Sequence, residues 1–230
     1  MALYIFANVG RGNLYRQARA FTVVKNIAKG YGRRGWAEIG ESDGNINEPR
    51  LLRLTFPLRR WKRIGIETHT PITFPKNQDF IAKVVRAADG RPHGWPHKFW
   101  VKVQYNDDHV VHYNGHMPPG AFNADEDEKY EDARLEEWQQ MWKKLTASIL
   151  LDLGQDYNVI VMCDANRQGD MPKPHPRAVL VAHHKTDYIW AIPAKNRKVR
   201  VVKRGSKDLG IDFHKAIYAD VMFDRLSNDN

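Results

Sequence analysis

The feature that most constrains the fold is a run of apolar residues within NVIVM, at 158–162, followed directly by Cys163, Asp164 and Asn166. Apolar residues at successive positions, rather than at alternate ones, are typical of a strand that is buried on both faces of a sheet. Layered α/β proteins gather their binding and catalytic groups at the carboxyl ends of such strands. The sequence therefore predicts an α/β protein with Asp164 and Asn166 at an edge of its sheet.

The remaining apolar patterns indicate further strands and helices along the chain. Residues 13–29 have apolar side chains at helical spacing, and a second helix is indicated at 135–149, where large apolar residues share one face. Strands are predicted at 3–8, 36–40, 99–105, 109–116, 158–162, 186–192, 198–204 and 215–223. The segment 167–185, rich in proline, histidine and basic residues, is predicted to be a loop. No repeat or boundary divides the chain, so we expect a single domain over 1–230.

Composition limits the partners and the compartment. The chain has 36 Lys and Arg residues against 27 Asp and Glu, a formal net charge of +9, which favours a polyanion such as nucleic acid, phosphorylated lipid or inositol phosphate. The single cysteine, Cys163, excludes an internal disulfide and is expected to pack in the core. Because no stretch reaches transmembrane length and no signal peptide is recognisable, we expect a soluble cytoplasmic protein without a membrane partner. Nothing in the composition indicates an oligomeric state.

Polar residues suited to phosphoryl chemistry follow four of the predicted strands: Asn8, Glu41, the Asn114/His116 pair and the Asp164/Asn166 pair. Carboxylate oxygens are hard ligands for Mg²⁺ or Mn²⁺, while Asn and His side chains donate to phosphate oxygens. The reaction also needs a base for water and a carboxylate that orients the base, and His214 and Asp187 suit these roles. Taken singly, each residue also has a structural explanation, because Asn and Asp cap turns and an isolated histidine is more often structural.

Six short segments are spread over nearly the whole chain: FANVG (6–10), IGESD (39–43), YNGHM (113–117), VIVMCDAN (159–166), TDYIW (186–190) and GIDFHKAIYADV (210–221). In this order they resemble the motifs of the endonuclease/exonuclease/phosphatase superfamily, the deoxyribonuclease I-like group. The resemblance implies a four-layered α/β sandwich, in which two central mixed β-sheets are flanked by helices and the active site lies at one edge of the sheets. It also implies a metal-dependent hydrolase that acts on phosphoester bonds.

The resemblance assigns the catalytic groups residue by residue. His116 would stabilise the phosphate, and Asp164 with Asn166 would orient the attacking water and contact the transition state. His214 resembles the histidine that acts as base or acid, and Asp187 resembles its carboxylate partner.

The implied metal site departs from the family pattern. Glu41 resembles the principal metal ligand, and Asn8 a neighbour of the metal or the phosphate. Gly40 replaces the usual glutamine before this glutamate, and Phe213 stands where the family has a carboxylate that assists the metal. Asp212 lies one residue earlier and is the alternative ligand, although neighbouring side chains of a strand point to opposite faces. The expected ion is Mg²⁺ or Mn²⁺.

The histidines of the segment 109–116 also permit a zinc site. On a strand, His112, Asn114 and His116 share one face and His109 does not, so three convergent histidine ligands are not expected from this segment. Asn114 is instead a candidate for substrate binding.

Two basic stretches are candidates for contacts with the substrate. Arg59, Arg60 and Lys62 surround Trp61, and the loop 173–185 combines cations with imidazole groups, as expected of a surface that follows a phosphate backbone. A solvated basic face explains each stretch equally well. Taken together, these features predict a metal-dependent phosphodiesterase that hydrolyses nucleic acid, with DNA favoured. The alternatives are a phosphatase for an inositol phosphate or phospholipid head group, and a catalytically impaired relative that binds nucleic acid.

Overall fold

The structure, a computed structural model, describes residues 2–7, 14–31, 41–42, 49–50, 63–69, 100–105, 109–118, 121–122, 128–167, 169–210 and 214–226. The helices within these ranges are α1 (Leu14–Gly30) and α2 (Glu128–Gly154). The strands are β1 (Ala2–Phe6), β2 (Glu41–Ser42), β3 (Pro49–Arg50), β4 (Arg63–His69), β5 (Trp100–Tyr105), β6 (Val110–His116), β7 (Asn158–Asp164), β8 (Val179–His184), β9 (Asp187–Ile192), β10 (Arg197–Asp208) and β11 (Lys215–Arg225).

The described strands form two main sheets and one short ladder. The larger sheet has the order β4-β5-β6-β7-β9-β8, and the smaller has the order β1-β11-β10. β6 and β7 pair in parallel because α2 carries the chain back to the start of the sheet, and the other pairs in both sheets are antiparallel. The ladder pairs β2 with β3.

Alternate residues of the strands fill the space between the two sheets. Tyr4 and Phe6 on β1 belong to the same buried cluster as Ile160 and Met162 on β7. The intervening residues, such as Ile5, belong to a separate cluster on the opposite face of their sheet. Because successive side chains point to opposite faces of a strand, β1 and β7 are buried on both sides. This explains why their sequences are apolar at successive positions.

The two helices cover the outer faces of the sheets. The apolar side of α1 packs on β1 and β11, and that of α2 packs on β6, β7 and β9. Trp138, Trp142, Leu145 and Ile149 are buried in the second contact. The layers are therefore α1, the smaller sheet, the larger sheet and α2, and the predicted four-layered α/β sandwich is confirmed. Among the described strands, those of the smaller sheet pair antiparallel and the larger sheet is mixed.

A buried carboxylate fixes the end of α2 against the larger sheet. Asp152 accepts hydrogen bonds from the Tyr113 hydroxyl, at 2.6 Å, and from Nζ of Lys102, at 2.8 Å. A buried charge is tolerated when it is paired and hydrogen-bonded, as it is here. These hydrogen bonds fix the end of α2 to β5 and β6, and β6 is the neighbour of β7 in the sheet.

One element differs from the prediction. The segment 167–185 was expected to be a loop, but its last part forms β8, the edge strand of the larger sheet. Only Val181 and Ala182 are buried in this strand, and it ends in two histidines, so its apolar pattern is too short to indicate a strand. The predicted strand at 36–40 lies outside the described residues. In the described part of the chain, neither helix is long and apolar enough to cross a membrane.

Candidate active site

Three neighbouring strands, β6, β7 and β9, place polar residues in one row that runs across the strand ends of the larger sheet. His116, the last residue of β6, is the register partner of Asp164, the last residue of β7. Asp164 is in turn opposite Asp187, the first residue of β9. All three side chains are buried, with relative exposures of 4%, 2% and 0%. The parallel pairing of β6 and β7 thus brings two carboxyl ends together, and the antiparallel return of β9 adds Asp187.

The smaller sheet contributes His214, which directly precedes β11. Its Nδ1 lies 2.9 Å from Oδ2 of Asp187, which is a hydrogen bond between a histidine and a carboxylate. Its Nε2 lies 3.9 Å from Oδ2 of Asp164. The same oxygen of Asp164 is 3.5 Å from Nε2 of His116. Four buried side chains, contributed from the two sheets, therefore lie next to one another.

Burial changes the proton affinity of the Asp187–His214 pair. The pKa of the Asp187 carboxyl is raised from 3.8 to about 7: burial is the main cause, the hydrogen bond with His214 opposes it, and the negative charge of Asp164 adds to it. The pair therefore changes its protonation near neutral pH, within the range that suits proton transfer in catalysis.

The chain after β7 is held in place by its own hydrogen bonds. The backbone N–H of Asn166 donates to Oδ1 of Asp164 at 2.9 Å, and Nδ2 of Asn166 donates to the carbonyl of Met117 at 2.7 Å. Met117 N–H donates to the Asp164 carbonyl at 2.9 Å. Asn166 has a φ of 47°, a left-handed conformation that asparagine tolerates better than most residues. The ends of β6 and β7 are thus fixed to one another, and one side-chain amide hydrogen of Asn166 serves this contact.

Two aromatic residues support the same segment, and sequence reasoning did not single them out. The Trp138 indole N–H donates to the Ala165 carbonyl at 2.8 Å, and the Tyr188 hydroxyl donates to the Arg167 carbonyl at 2.9 Å. The helical spacing of Trp138 indicated only a core position, since periodicity reports which face is buried and not which polar atom it reaches.

His184 is a further residue that the sequence did not single out. It is the register partner of Asp187 on β8 and extends the polar row to the edge strand. Its Nδ1 is buried and has no hydrogen-bond partner within the described ranges. Burial lowers the pKa of His184, and the charges of Lys215 and Lys185 lower it further, so the neutral form of the imidazole is favoured. Because the sequence predicted a loop at this position, it did not indicate that His184 lies in this row.

The arrangement fits a divalent cation. Asp164, Asp187 and His214 each offer a ligand atom, and these atoms lie within 4.8 Å of one another. The hydrogen bond with His214 uses Oδ2 of Asp187, whereas Oδ1 of Asp187 is buried and has no hydrogen-bond partner among the residues that the structure describes. Carboxylate oxygens are the ligands that Mg²⁺ and Mn²⁺ prefer. Asp164 and Oδ1 of Asp187 can therefore contact a metal while the pair with His214 stays intact.

The other predicted site residues lie elsewhere or outside the described ranges. Asn114 is fully buried on the same face as His116, two residues before it, and lies deeper between the sheets. Glu41 belongs to β2, and its side chain is not described. His109, which was considered as a ligand of a zinc site, is exposed in the turn before β6. The remaining candidates lie outside the described residues: Asn8, Arg59, Arg60, Lys62 and Asp212, as well as Phe213.

A layered sandwich of two sheets, with a buried acid–histidine pair where they meet, is the arrangement that the sequence motifs implied. No protein-family model and no curated protein sequence matches the chain. Solved structures do match. A truncated Caenorhabditis elegans TDP2 aligns over 96% of this chain and 97% of its own, with a TM-score of 0.53 and 9% identity. Another crystal structure of Caenorhabditis elegans TDP2 gives a TM-score of 0.56 at 10% identity, over 96% of this chain and 74% of its own.

An endonuclease/exonuclease/phosphatase family protein from Bacteroides thetaiotaomicron also matches, over 97% of this chain and 98% of its own, with a TM-score of 0.51 and 12% identity. At these identities the matches establish the fold alone. The chain has the endonuclease/exonuclease/phosphatase fold, and the resemblance seen in its motifs is confirmed at that level. A shared fold does not define an activity, which depends on the residues of the site.

Proposed function

We propose that this chain is a divalent-metal-dependent phosphodiesterase that hydrolyses nucleic acid, with DNA favoured, by attack of water on phosphorus. The observation that carries the proposal is the buried Asp187–His214 pair facing Asp164 across 3.9 Å. A base oriented by a carboxylate, next to a second carboxylate, is the set of groups that hydrolysis of a phosphoester needs. The single domain over 1–230 and the cytoplasmic location are parts of the same proposal.

His214 is the proposed proton-transfer group. When Asp187 is ionised, Nδ1–H of His214 donates to it, which fixes the tautomer and leaves Nε2 as the proton acceptor. Nε2 is on the side of Asp164, so a water or substrate oxygen placed between them contacts both groups. His214 then takes a proton from the attacking water or returns one to the leaving oxygen.

Asp164, Asn166 and His116 orient the other reactants. The Asn166 backbone N–H holds one oxygen of Asp164 at 2.9 Å, so the second oxygen has a fixed direction. Asp164 and Asn166 are proposed to orient the water, and His116 to donate to the phosphate, where negative charge increases in the transition state. Their fixed positions reduce the reorganisation that the reaction requires.

Mg²⁺ or Mn²⁺ is the proposed cofactor. The proposed ligands are Glu41, Asn8 and Asp212, with Asp164 and Oδ1 of Asp187 as further contacts suggested by the geometry. When bound, such an ion would polarise the phosphoryl oxygens and neutralise part of their charge. Asn114, Arg59, Arg60 and Lys62 are the proposed substrate contacts. Nucleic acid is favoured as the substrate because the whole chain carries a formal net charge of +9.

The test is hydrolysis of plasmid, labelled DNA and labelled RNA by the purified full chain with Mg²⁺, Mn²⁺ or EDTA. Asp164→Asn and His214→Gln should each lower turnover by roughly 10²- to 10⁴-fold, because their groups act mainly in the transition state. Asp170→Asn and His109→Gln are matched controls at exposed positions and should retain turnover.

Three results would contradict the proposal. Undiminished hydrolysis in excess EDTA removes the metal from the mechanism. Release of inorganic phosphate from an inositol phosphate, without cleavage of nucleic acid, identifies a phosphatase. Binding of DNA without cleavage under any of the metal conditions identifies a relative that has lost its activity.

A further inference from the structure

β10 carries an unusual concentration of positive charge. Its sequence RKVRVVKRGSKD contains six Lys and Arg residues and one Asp, and among the described strands it lies at one edge of the smaller sheet. Together with its neighbour β11 it has eight basic residues against three acidic ones. The two strands therefore carry a net charge of +5, more than half of the +9 of the whole chain.

A β-bulge places four of these cations on one face of the strand. Lys198 and Arg200 precede the bulge, Lys203 and Lys207 follow it, and the register shifts between Val201 and Lys203. All four basic residues pair with even-numbered residues of β11. Without the extra residue, Lys203 and Lys207 would point to the opposite face, because side chains alternate along a strand.

This face is open to solvent beside α1. The four side chains are exposed, while the helix covers β1 and β11. Two of the cations have contacts of their own: Arg200 pairs with Asp224 at 2.6 Å, and Nζ of Lys203 lies 5.0 Å from the centre of the Tyr31 ring. An exposed ion pair of this kind contributes little, and both contacts fix their side chains on the outer face.

The charged face leads to the candidate active site. Asp208, the last residue of β10, is opposite Lys215 on β11, and Lys215 directly follows His214. The charge of Lys215 also reaches His184 at the end of the polar row, whose pKa it helps to lower. From this point β10 runs away from the site for about 35 Å, at roughly 3.3 Å per residue.

We propose that the outer face of β10 binds the phosphate backbone of a nucleic acid whose reacting phosphate lies in the site. This inference rests on the proposed function and adds a surface separate from 59–63 and 173–185. Lys198 and Arg200, at alternate positions of one face, are about 6.6 Å apart, a spacing similar to that of successive phosphates in a nucleic acid strand, and Lys203 and Lys207 are about twice as far apart. β10 has no aromatic residue on which a base can stack, so the contact is with the backbone and independent of base sequence.

A second explanation for basic residues on an edge strand is protection against pairing with other chains. In the first case the charges prevent a strand of another molecule from pairing with β10. In the second case they form ion pairs with phosphates. The two explanations predict different consequences when the charges are neutralised. Loss of protection appears as aggregation, and loss of a binding surface appears as a weaker salt dependence of binding.

The test compares two double variants that each remove two positive charges. Lys203→Gln/Lys207→Gln changes the proposed surface, and Lys143→Gln/Lys144→Gln changes exposed lysines of α2, in the opposite outer layer. Binding of a fluorescent DNA duplex is measured by anisotropy in EDTA, which prevents hydrolysis, between about 50 and 200 mM salt. Light scattering follows aggregation. Because Lys203 contacts Tyr31, the single variant Lys207→Gln is measured as well.

The slope of log affinity against log salt should become shallower by up to about 1.8 for the β10 double variant, since each phosphate contact contributes about 0.9. It should become shallower by about half as much for Lys207→Gln, and the α2 variant should match the unchanged protein. Hydrolysis of a small phosphodiester, bis(p-nitrophenyl) phosphate, should be unchanged in all variants, because it does not reach β10.

The inference is wrong if both double variants lower the slope equally, or if neither does. It is also wrong if the β10 variant binds the duplex normally but aggregates, or if it loses binding only to vesicles of anionic phospholipid. If the protein without substitutions hydrolyses the small ester but does not bind the duplex, the proposed binding surface is wrong and the proposed phosphodiesterase activity is not. Binding of the duplex through β10 without hydrolysis of any ester contradicts the proposed function and leaves the surface in place.

Discussion

Replacing Asp187 with asparagine should make the protein more stable at alkaline pH while it abolishes most of the activity. Asparagine has nearly the same shape as aspartate, and its amide oxygen still accepts the hydrogen bond from Nδ1 of His214. The change removes the charge, which is fully buried and lies near the carboxylate of Asp164, and replaces Oδ1 with an NH₂ group.

The magnitude follows from the pKa of the buried carboxyl. Burial raises the pKa of Asp187 from 3.8 to about 7, so the folded state holds this proton more tightly than the unfolded chain does. The associated stability is complete below pH 3.8 and is lost as pH rises through about 7. At about 1.4 kcal/mol per pKa unit, the full loss amounts to about 4 kcal/mol. Between pH 4.5 and pH 8, the free energy of unfolding of Asp187→Asn should therefore improve by about 3 kcal/mol relative to the unchanged protein.

Urea unfolding in EDTA at several pH values between these limits measures this difference directly. A constant offset is expected in addition, because the new NH₂ group takes the place of Oδ1, which has no hydrogen-bond partner in the described part of the chain; an unsatisfied buried donor costs about 1–3 kcal/mol. Such an offset does not change with pH. Asp170→Asn, at an exposed position, is the control and should follow the unchanged protein at every pH. If the two unfolding curves stay parallel, or if Asp187→Asn is most destabilised at pH 7–8, Asp187 is stably ionised in the fold and the reasoning is refuted.

Three further outcomes are expected. Without metal, in EDTA, the Asp187–His214 pair should lose a proton as pH rises through about 7, and an NMR titration of the His214 ring that shows no change in this range would contradict this. Trp138→Phe removes the indole N–H that donates to the Ala165 carbonyl; it should cost about 1 kcal/mol in urea unfolding and lower kcat more than it raises KM, whereas a change in stability alone would show that Trp138 does not position the site. Gly115→Ala would place its Cβ 2.5 Å from the Trp100 ring, so it should lower stability by about 1–3 kcal/mol, and an unchanged melting temperature would argue against this packing.

The sequence by itself determined the elements and the positions of their polar ends. The run of apolar residues within 158–162 predicted a strand buried on both faces, and β7 is such a strand. The spacing of Trp138 and Ile149 predicted the buried face of a helix that is now observed as α2. Periodicity succeeds in these cases because the regular geometry of a helix or a strand fixes which residues share a face. This geometry is a local property of the chain.

Only the tertiary structure decided which of these residues meet. Asp187 and His214 are 27 residues apart and come from different sheets, and the motif resemblance suggested their pairing without supplying a distance. The pKa of Asp187 depends on how completely the two sheets exclude water, which no local pattern reports. β8 was missed because its few apolar residues are stabilised by pairing with β9. The bulge in β10 likewise sets the face of Lys203 and Lys207 through the register with β11. Contacts between sheets depend on long-range packing, and that packing is encoded by the whole chain rather than by any segment of it.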